Sequence, residues 1–157
     1  MYRRAVVPLD GSDVSAAILP FITQIAGPLD MEVVLLRVVD AAPAVVLEAA
    51  RRFEVEDVET RRLNEARKYL RPIFQELADQ GIRTQIQVRR GDPVTEIVAC
   101  ATAVDADLIA MTTHGRSGLD RLLFGSVAEA VLRQAEIPVF LMRVTGRTVR
   151  RERVTSG

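Results

Sequence analysis

Asp107-Leu-Ile-Ala-Met-Thr-Thr-His-Gly-Arg-Ser-Gly-Leu-Asp-Arg-Leu-Leu-Phe-Gly-Ser126 is the stretch that decides the fold. Residues 107–113 form a largely apolar run that reads as a buried strand. A helix reads from about 126 to 135. Between them lies a loop carrying Gly115, Gly118 and Gly125. Glycines let a backbone turn sharply and come close to a ligand, since no Cβ stands in the way. The helix N-terminus at Gly125-Ser126 offers free N–H groups and the positive end of a dipole. Strand, glycine loop and helix in that order are the means by which parallel sheets hold phosphate.

Strands and helices alternate on either side of this stretch. Residues 3–8 read as a short buried strand, and 137–143 as the last strand. Ser12 is the expected N-cap of a helix over about 13–27, which Pro20 weakens and Gly27-Pro28 ends. Glu32 to Val39 is a β-branched run and a second strand. Residues 40–50 read as a loop. A long helix is expected over about 51–80, with Leu63, Leu70, Phe74 and Leu77 on one face. Pro72 falls roughly opposite that stripe, towards solvent, and Gly81 caps the end. Arg83 to Arg89 alternates in the manner of an edge strand. Asp92 and Pro93 open a helix carrying Ile97, Val98 and Ala101 on its inner face.

The order βαβαβαβαβ implies a single α/β domain with a five-stranded, doubly wound parallel sheet and helices on both faces. Ligands in such sheets bind beyond the carboxyl ends of the strands, where strand order reverses. The domain is expected over 1–144, with an Arg-rich tail over 145–157. A length of 157 residues suits one core of this kind.

Several function classes are excluded. Lys68 is the only lysine in the chain, and no lysine lies beside a glycine-rich turn. The P-loop of NTPases needs one there. Formal net charge is zero, which argues against broad nucleic-acid binding. The single cysteine, Cys100, excludes an intramolecular disulfide and reads as a buried filler. No signal pattern and no membrane-length apolar run is present, so a cytoplasmic protein is expected. There is no Ser-His-Asp set, no paired acid and base, and no lysine for phosphoryl transfer, so little or no turnover is expected.

The residues also resemble a known family. Val-Val-Pro-Leu-Asp-Gly-Ser12, the Leu-Leu-Arg-Val-Val39 strand, Gly91-Asp-Pro-Val-Thr-Glu-Ile97, and Thr113-His-Gly-Arg-Ser-Gly118 with Gly125-Ser-Val-Ala-Glu129 occur in order over about 2–143. Together they resemble the universal stress protein family. That resemblance implies strand order 3-2-1-4-5, with Asp10 and the glycine loop meeting at one cleft. The family's nucleotide-binding branch carries Gly, two residues, Gly, nine residues, then Gly with Ser or Thr. Gly115 and Gly125-Ser126 match it; Thr112 stands where the first glycine is expected.

The resemblance implies ATP, AMP or ADP as ligand. Asp10 and the backbone of Val38 would flank the adenine or ribose, with Pro8, Leu9, Met111 and Thr112 nearby. Ser126 and the N–H groups of Gly115, Arg116 and Val127 would face the phosphates, with Gly125 at the turn. Asp10 would be the contact, through water, for Mg or Mn accompanying the nucleotide. It further implies a homodimer paired through strand 137–143, an apolar edge that invites such pairing.

Plainer roles remain open beside these. Ser126-Val-Ala-Glu129 is a capping box that needs no ligand. Asp10 suits a turn with Gly11-Ser12. Arg116 and Arg121 are phosphate ligands or solvated loop arginines, and His114 orients the loop. Three functions compete: an adenylate-binding stress-response or signalling protein, a weak ATPase or self-phosphorylating protein with Ser126 or Ser117 as acceptor, and a nucleotide-free dimeric adaptor.

Overall fold

A computed structural model describes residues 1–53, 58–114 and 125–144. The described residues build a five-stranded, all-parallel sheet in the order β3-β2-β1-β4-β5. The strands are β1 (Arg4–Pro8), β2 (Glu32–Val39), β3 (Thr84–Arg90), β4 (Leu108–His114) and β5 (Val139–Val144). The helices are α1 (Asp13–Ala16), α2 (Leu19–Ala26), α3 (Ala44–Arg52), α4 (Val58–Asp79), α5 (Pro93–Ala103) and α6 (Ser126–Gln134). The expected fold class and strand order both hold, and the reversal of strand order falls between β1 and β4.

The apolar runs of β1, β2 and β4 feed two cores, because successive side chains point to opposite faces. On one face Val7, Val33, Leu35 and Ala110 meet Ile18, Ile22 and Ala26 of the α1–α2 region and Leu70 and Leu77 of α4. On the other face Val6, Val34, Leu36 and Ile109 meet Ile97 and Cys100 of α5 and Val131 of α6. Cys100 is fully buried, as a filler should be, and its burial pushes the thiol pKa up. Leu70 and Leu77 lock α4 onto the sheet; a buried leucine contributes about 1.5–3 kcal/mol relative to exposure. Phe21 of α2 stacks on Phe140 of β5 with ring centroids 4.7 Å apart.

The helix expected over 13–27 is two helices. Pro20 has no N–H to give to the carbonyl of Ala16, so α1 stops there and α2 starts afresh with the proline in its first turn. Pro72, by contrast, sits inside α4 on its exposed side. Beyond α4, Gly81 takes φ +77, and the N–H of Ile82 reaches back to the carbonyl of Leu77 at 3.0 Å.

The 40–50 segment is not a loop. Pro43, at φ −54, leads into α3, whose Leu47-Glu-Ala-Ala-Arg-Arg52 run consists of strong helix formers. Arg51 and Arg52 lie in its last turn, where the helix dipole favours cations. None of its residues is buried, although its sequence is amphipathic. The long helix accordingly begins at Val58, not at 51. The tail over 145–157 lies outside the described residues.

Candidate functional site

β1 ends at Pro8, and the chain then turns sharply into α1. Leu9 still donates its N–H to the carbonyl of Leu36 at 2.8 Å, which ties the turn to β2. Gly11 adopts φ +88, a conformation that L side chains rarely adopt. Ser12 caps α1 by accepting the N–H of Ser15 at 3.1 Å. Ser15 is buried, and its hydroxyl accepts the N–H of Asp10 at 3.2 Å and donates to the carbonyl of Ser12 at 3.0 Å. The turn is therefore braced from within, and Asp10 projects from it.

Asp10 Oδ1 accepts the N–H of Ser12 at 2.9 Å and its hydroxyl at 2.5 Å. Partial desolvation raises the carboxyl's pKa, but hydrogen bonds from Ser12 and Ser15 and the charge of Arg37 outweigh that. The result is a pKa below the ordinary carboxylate value.

Asp10 opens onto a cleft of about 690 Å³ at the carboxyl ends of β1, β2 and β4. Pro8, Leu9 and Asp10 come to it from the first strand and its turn, Val38 from β2, Met111 and Thr112 from β4, and Val127 from α6. These are residues the sequence assigned to one site. The volume lies within the range of about 300–1,000 Å³ usual for small-molecule pockets. Side-chain alternation divides the cleft: the residues on the α5 and α6 side, among them Val38, Pro93, Ile97, Met111 and Val127, are apolar, while Asp10, Ser15, Arg37 and Tyr69 make the α4 side polar.

Other assigned residues stand differently. Gly115 and Arg116, with Ser117, Gly118 and Arg121, lie outside the described residues, and so does the side chain of His114. Gly125 and Ser126 are not part of the cleft lining. The expected capping box does not form: the N-cap is Gly125, whose carbonyl accepts the N–H of Glu129 at 3.0 Å. Ser126 is the first helical residue, one position too late to cap, and Glu129 pairs with Arg133 instead. Gly125 has φ −52, open to any residue, and a Cβ there would meet nothing within 4 Å. Its N–H donates to the buried Thr113 hydroxyl at 3.4 Å, tying the start of α6 to β4.

No group of three or more His, Cys, Asp or Glu side chains gathers among the described residues. Oδ1 of Asp10 is spent on Ser12, and no cluster of ligating side chains forms around it among the described residues. The described residues therefore build no metal centre at Asp10.

Sequence reasoning missed the α4 side of the cleft. Arg62, Glu65, Ala66 and Tyr69 line it, and Arg62 donates to the carbonyl of Asp40 at 3.3 Å. Their spacing is helical, but the search for a stripe followed only apolar positions. Arg37 was also legible: it is the one charge inside the apolar run of β2, and such a charge needs a cavity or a partner.

The Universal stress protein family model matches residues 1–143. The chain belongs to the universal stress protein family. Universal stress protein MJ0531 of Methanocaldococcus jannaschii is 36% identical over 143 residues, 91% of this chain and 83% of that protein. Among solved structures, protein MJ0577, whose biochemical function was assigned from its structure, superposes with a TM-score of 0.76 at 28% identity, covering 93% of this chain and 99% of that one. Two other members share the universal stress protein fold: one solved with cAMP (TM-score 0.61, 23% identity, 92% of this chain and 98% of that one) and one from Archaeoglobus fulgidus solved with dAMP (0.63, 21%, 89% and 97%). Thr112 lines the cleft of this universal stress protein.

Proposed function

We propose that this universal stress protein binds an adenine nucleotide in the cleft beside Asp10 and serves stress signalling through occupancy rather than turnover. The observation that carries the reading is the convergence of Asp10, Val38, Met111 and Val127 on one cavity at the point where strand order reverses. Its apolar side suits the faces of a purine, and its polar side suits a sugar. The first turn of α6 supplies N–H donors for phosphate at Ser126 and Val127, because N–H groups there lack helical partners. The N–H of Gly125 is not among them, being given to Thr113. Structures of two relatives in complex with cAMP and dAMP support adenylates as the ligand class.

Dimerisation through β5 belongs to the same proposal. β5 is an edge strand carrying Val139, Phe140, Leu141 and Met142, all half-buried in the single chain. One observation favours the nucleotide-free adaptor as a second reading: Thr112, which stands where the nucleotide-binding pattern has a glycine, lines the cleft.

Calorimetry of the full chain with ATP and with AMP, at ligand concentrations near 1 mM, tests the proposal. Saturable heat that is lost in Asp10→Ala supports it. Absence of heat from the folded wild-type protein leaves the adaptor reading in its place.

A further inference from the structure

Arg37 leaves β2 on the α4 side of the sheet and is half-buried. Its guanidinium lies over the β1–α1 turn, with Nη2 3.7 Å from where a Cβ on Gly11 would be. Among the described residues it makes no hydrogen bond and no ion pair, although its charge reaches both Asp10 and Tyr69. A guanidinium carries five N–H donors in a fixed plane, and burying them without acceptors is unfavourable. These donors face the cleft that Asp10 also faces.

Asp10 supplies the complementary half. Its Oδ1 is spent twice on Ser12; the Ser15 hydroxyl also lies within reach of the carboxyl, and no other described group donates to Oδ2. The cleft thus presents one open carboxylate oxygen beside open guanidinium donors. A second phosphate is a poor fit, because Asp10, Asp40 and Glu65 outnumber Arg37 and Arg62 along the lining. A neutral group that both donates and accepts fits better, and vicinal hydroxyls are such a group. One hydroxyl donates a hydrogen bond to Asp10 Oδ2; the other accepts one from Arg37.

We propose that Arg37 and Asp10 together read the 2′- and 3′-hydroxyls of a ribose, making this cleft selective for ribonucleotides over deoxyribonucleotides. This rests on the adenylate reading above and adds a specificity residue, Arg37, to it. Removing one hydroxyl leaves a charged group of the protein without its partner, which a site built for that hydroxyl resists.

The test is calorimetric titration of the full chain with AMP, 2′-deoxy-AMP and 3′-deoxy-AMP. Wild-type protein is expected to favour AMP by about tenfold or more over either analogue. Arg37→Leu is expected to abolish the preference over the analogue that lacks the Arg37-bound hydroxyl, moving that analogue by less than about twofold, while AMP and the other analogue both weaken and the preference between those two, held by Asp10, stays. Arg37→Gln, which keeps an amide donor, is expected to recover part of the preference. Equal binding of all three ligands by the wild type overturns the ribose proposal and leaves adenylate binding intact. So does an equal loss for all three ligands in Arg37→Leu, which marks Arg37 as a general support of the turn. No binding of any of the three by folded wild-type protein overturns both.

Discussion

Asp10 Oδ1 accepts two hydrogen bonds from Ser12, one from its N–H at 2.9 Å and one from its hydroxyl at 2.5 Å, while the same hydroxyl caps α1 by accepting from Ser15. One small side chain therefore holds the helix start and the carboxylate of the cleft together. Ser12→Ala removes the cap, at a cost of about 1 kcal/mol in chemical denaturation. It also removes a hydrogen bond that lowers the Asp10 pKa, so the carboxyl titration followed by NMR moves upward. Because the folded pKa is depressed, the associated stability is present above the unfolded value of 3.8 and is lost as pH falls through the folded pKa. The acid limb of the stability profile is therefore expected to be shallower in Asp10→Asn. An unchanged limb removes Asp10 from the linkage.

Thr113 ties the two stems of the glycine loop by accepting the N–H of Gly125. Thr113→Val keeps the shape and deletes the acceptor. A loss of about 0.5–1.5 kcal/mol is expected, towards the low end because the bond is long at 3.4 Å. Nucleotide affinity should fall with it, since the start of α6 is no longer anchored. Denaturation and calorimetry on one preparation read both; an affinity unaffected by the loss separates the stem from the ligand site.

Ser126 separates capping from binding. As the first residue of α6 with Gly125 as the cap, its hydroxyl is not needed by the helix. Ser126→Ala should change stability by less than about 0.5 kcal/mol and weaken nucleotide binding. A loss near 1 kcal/mol in thermal or urea unfolding points back to a capping role.

Helix α3 buries none of its residues, and Val45 and the adjoining Phe53 stand 77% and 76% exposed. Short helices without tertiary packing are marginal in water. Amides of Ala44–Arg52 are expected to exchange with solvent far faster than those around Leu70 in α4, by hydrogen-exchange mass spectrometry. Phe53→Ser should leave stability within about 0.5 kcal/mol. A cost of several times that shows Phe53 to be covered in the working protein.

The sequence by itself determined the architecture. Apolar runs at Arg4–Pro8, Glu32–Val39 and Leu108–His114 have only one way to be buried on both faces, and the helices between them force parallel crossovers. The family resemblance carried in its motifs implied that Asp10 and Val38 share one cleft, and both line it. Helix α3 went unread although its sequence is amphipathic, and it buries none of its residues. Local motifs mislead as well: Ser126-Val-Ala-Glu129 has the letters of a capping box, but the cap is Gly125. Only the tertiary structure brought Arg37, Tyr69 and Ser15 to the side of Asp10. Those residues come from β2, α4 and α1, and their meeting depends on how α4 seats Leu70 and Leu77 on the sheet. That seating is a balance of packing between distant segments, which no short window of sequence contains.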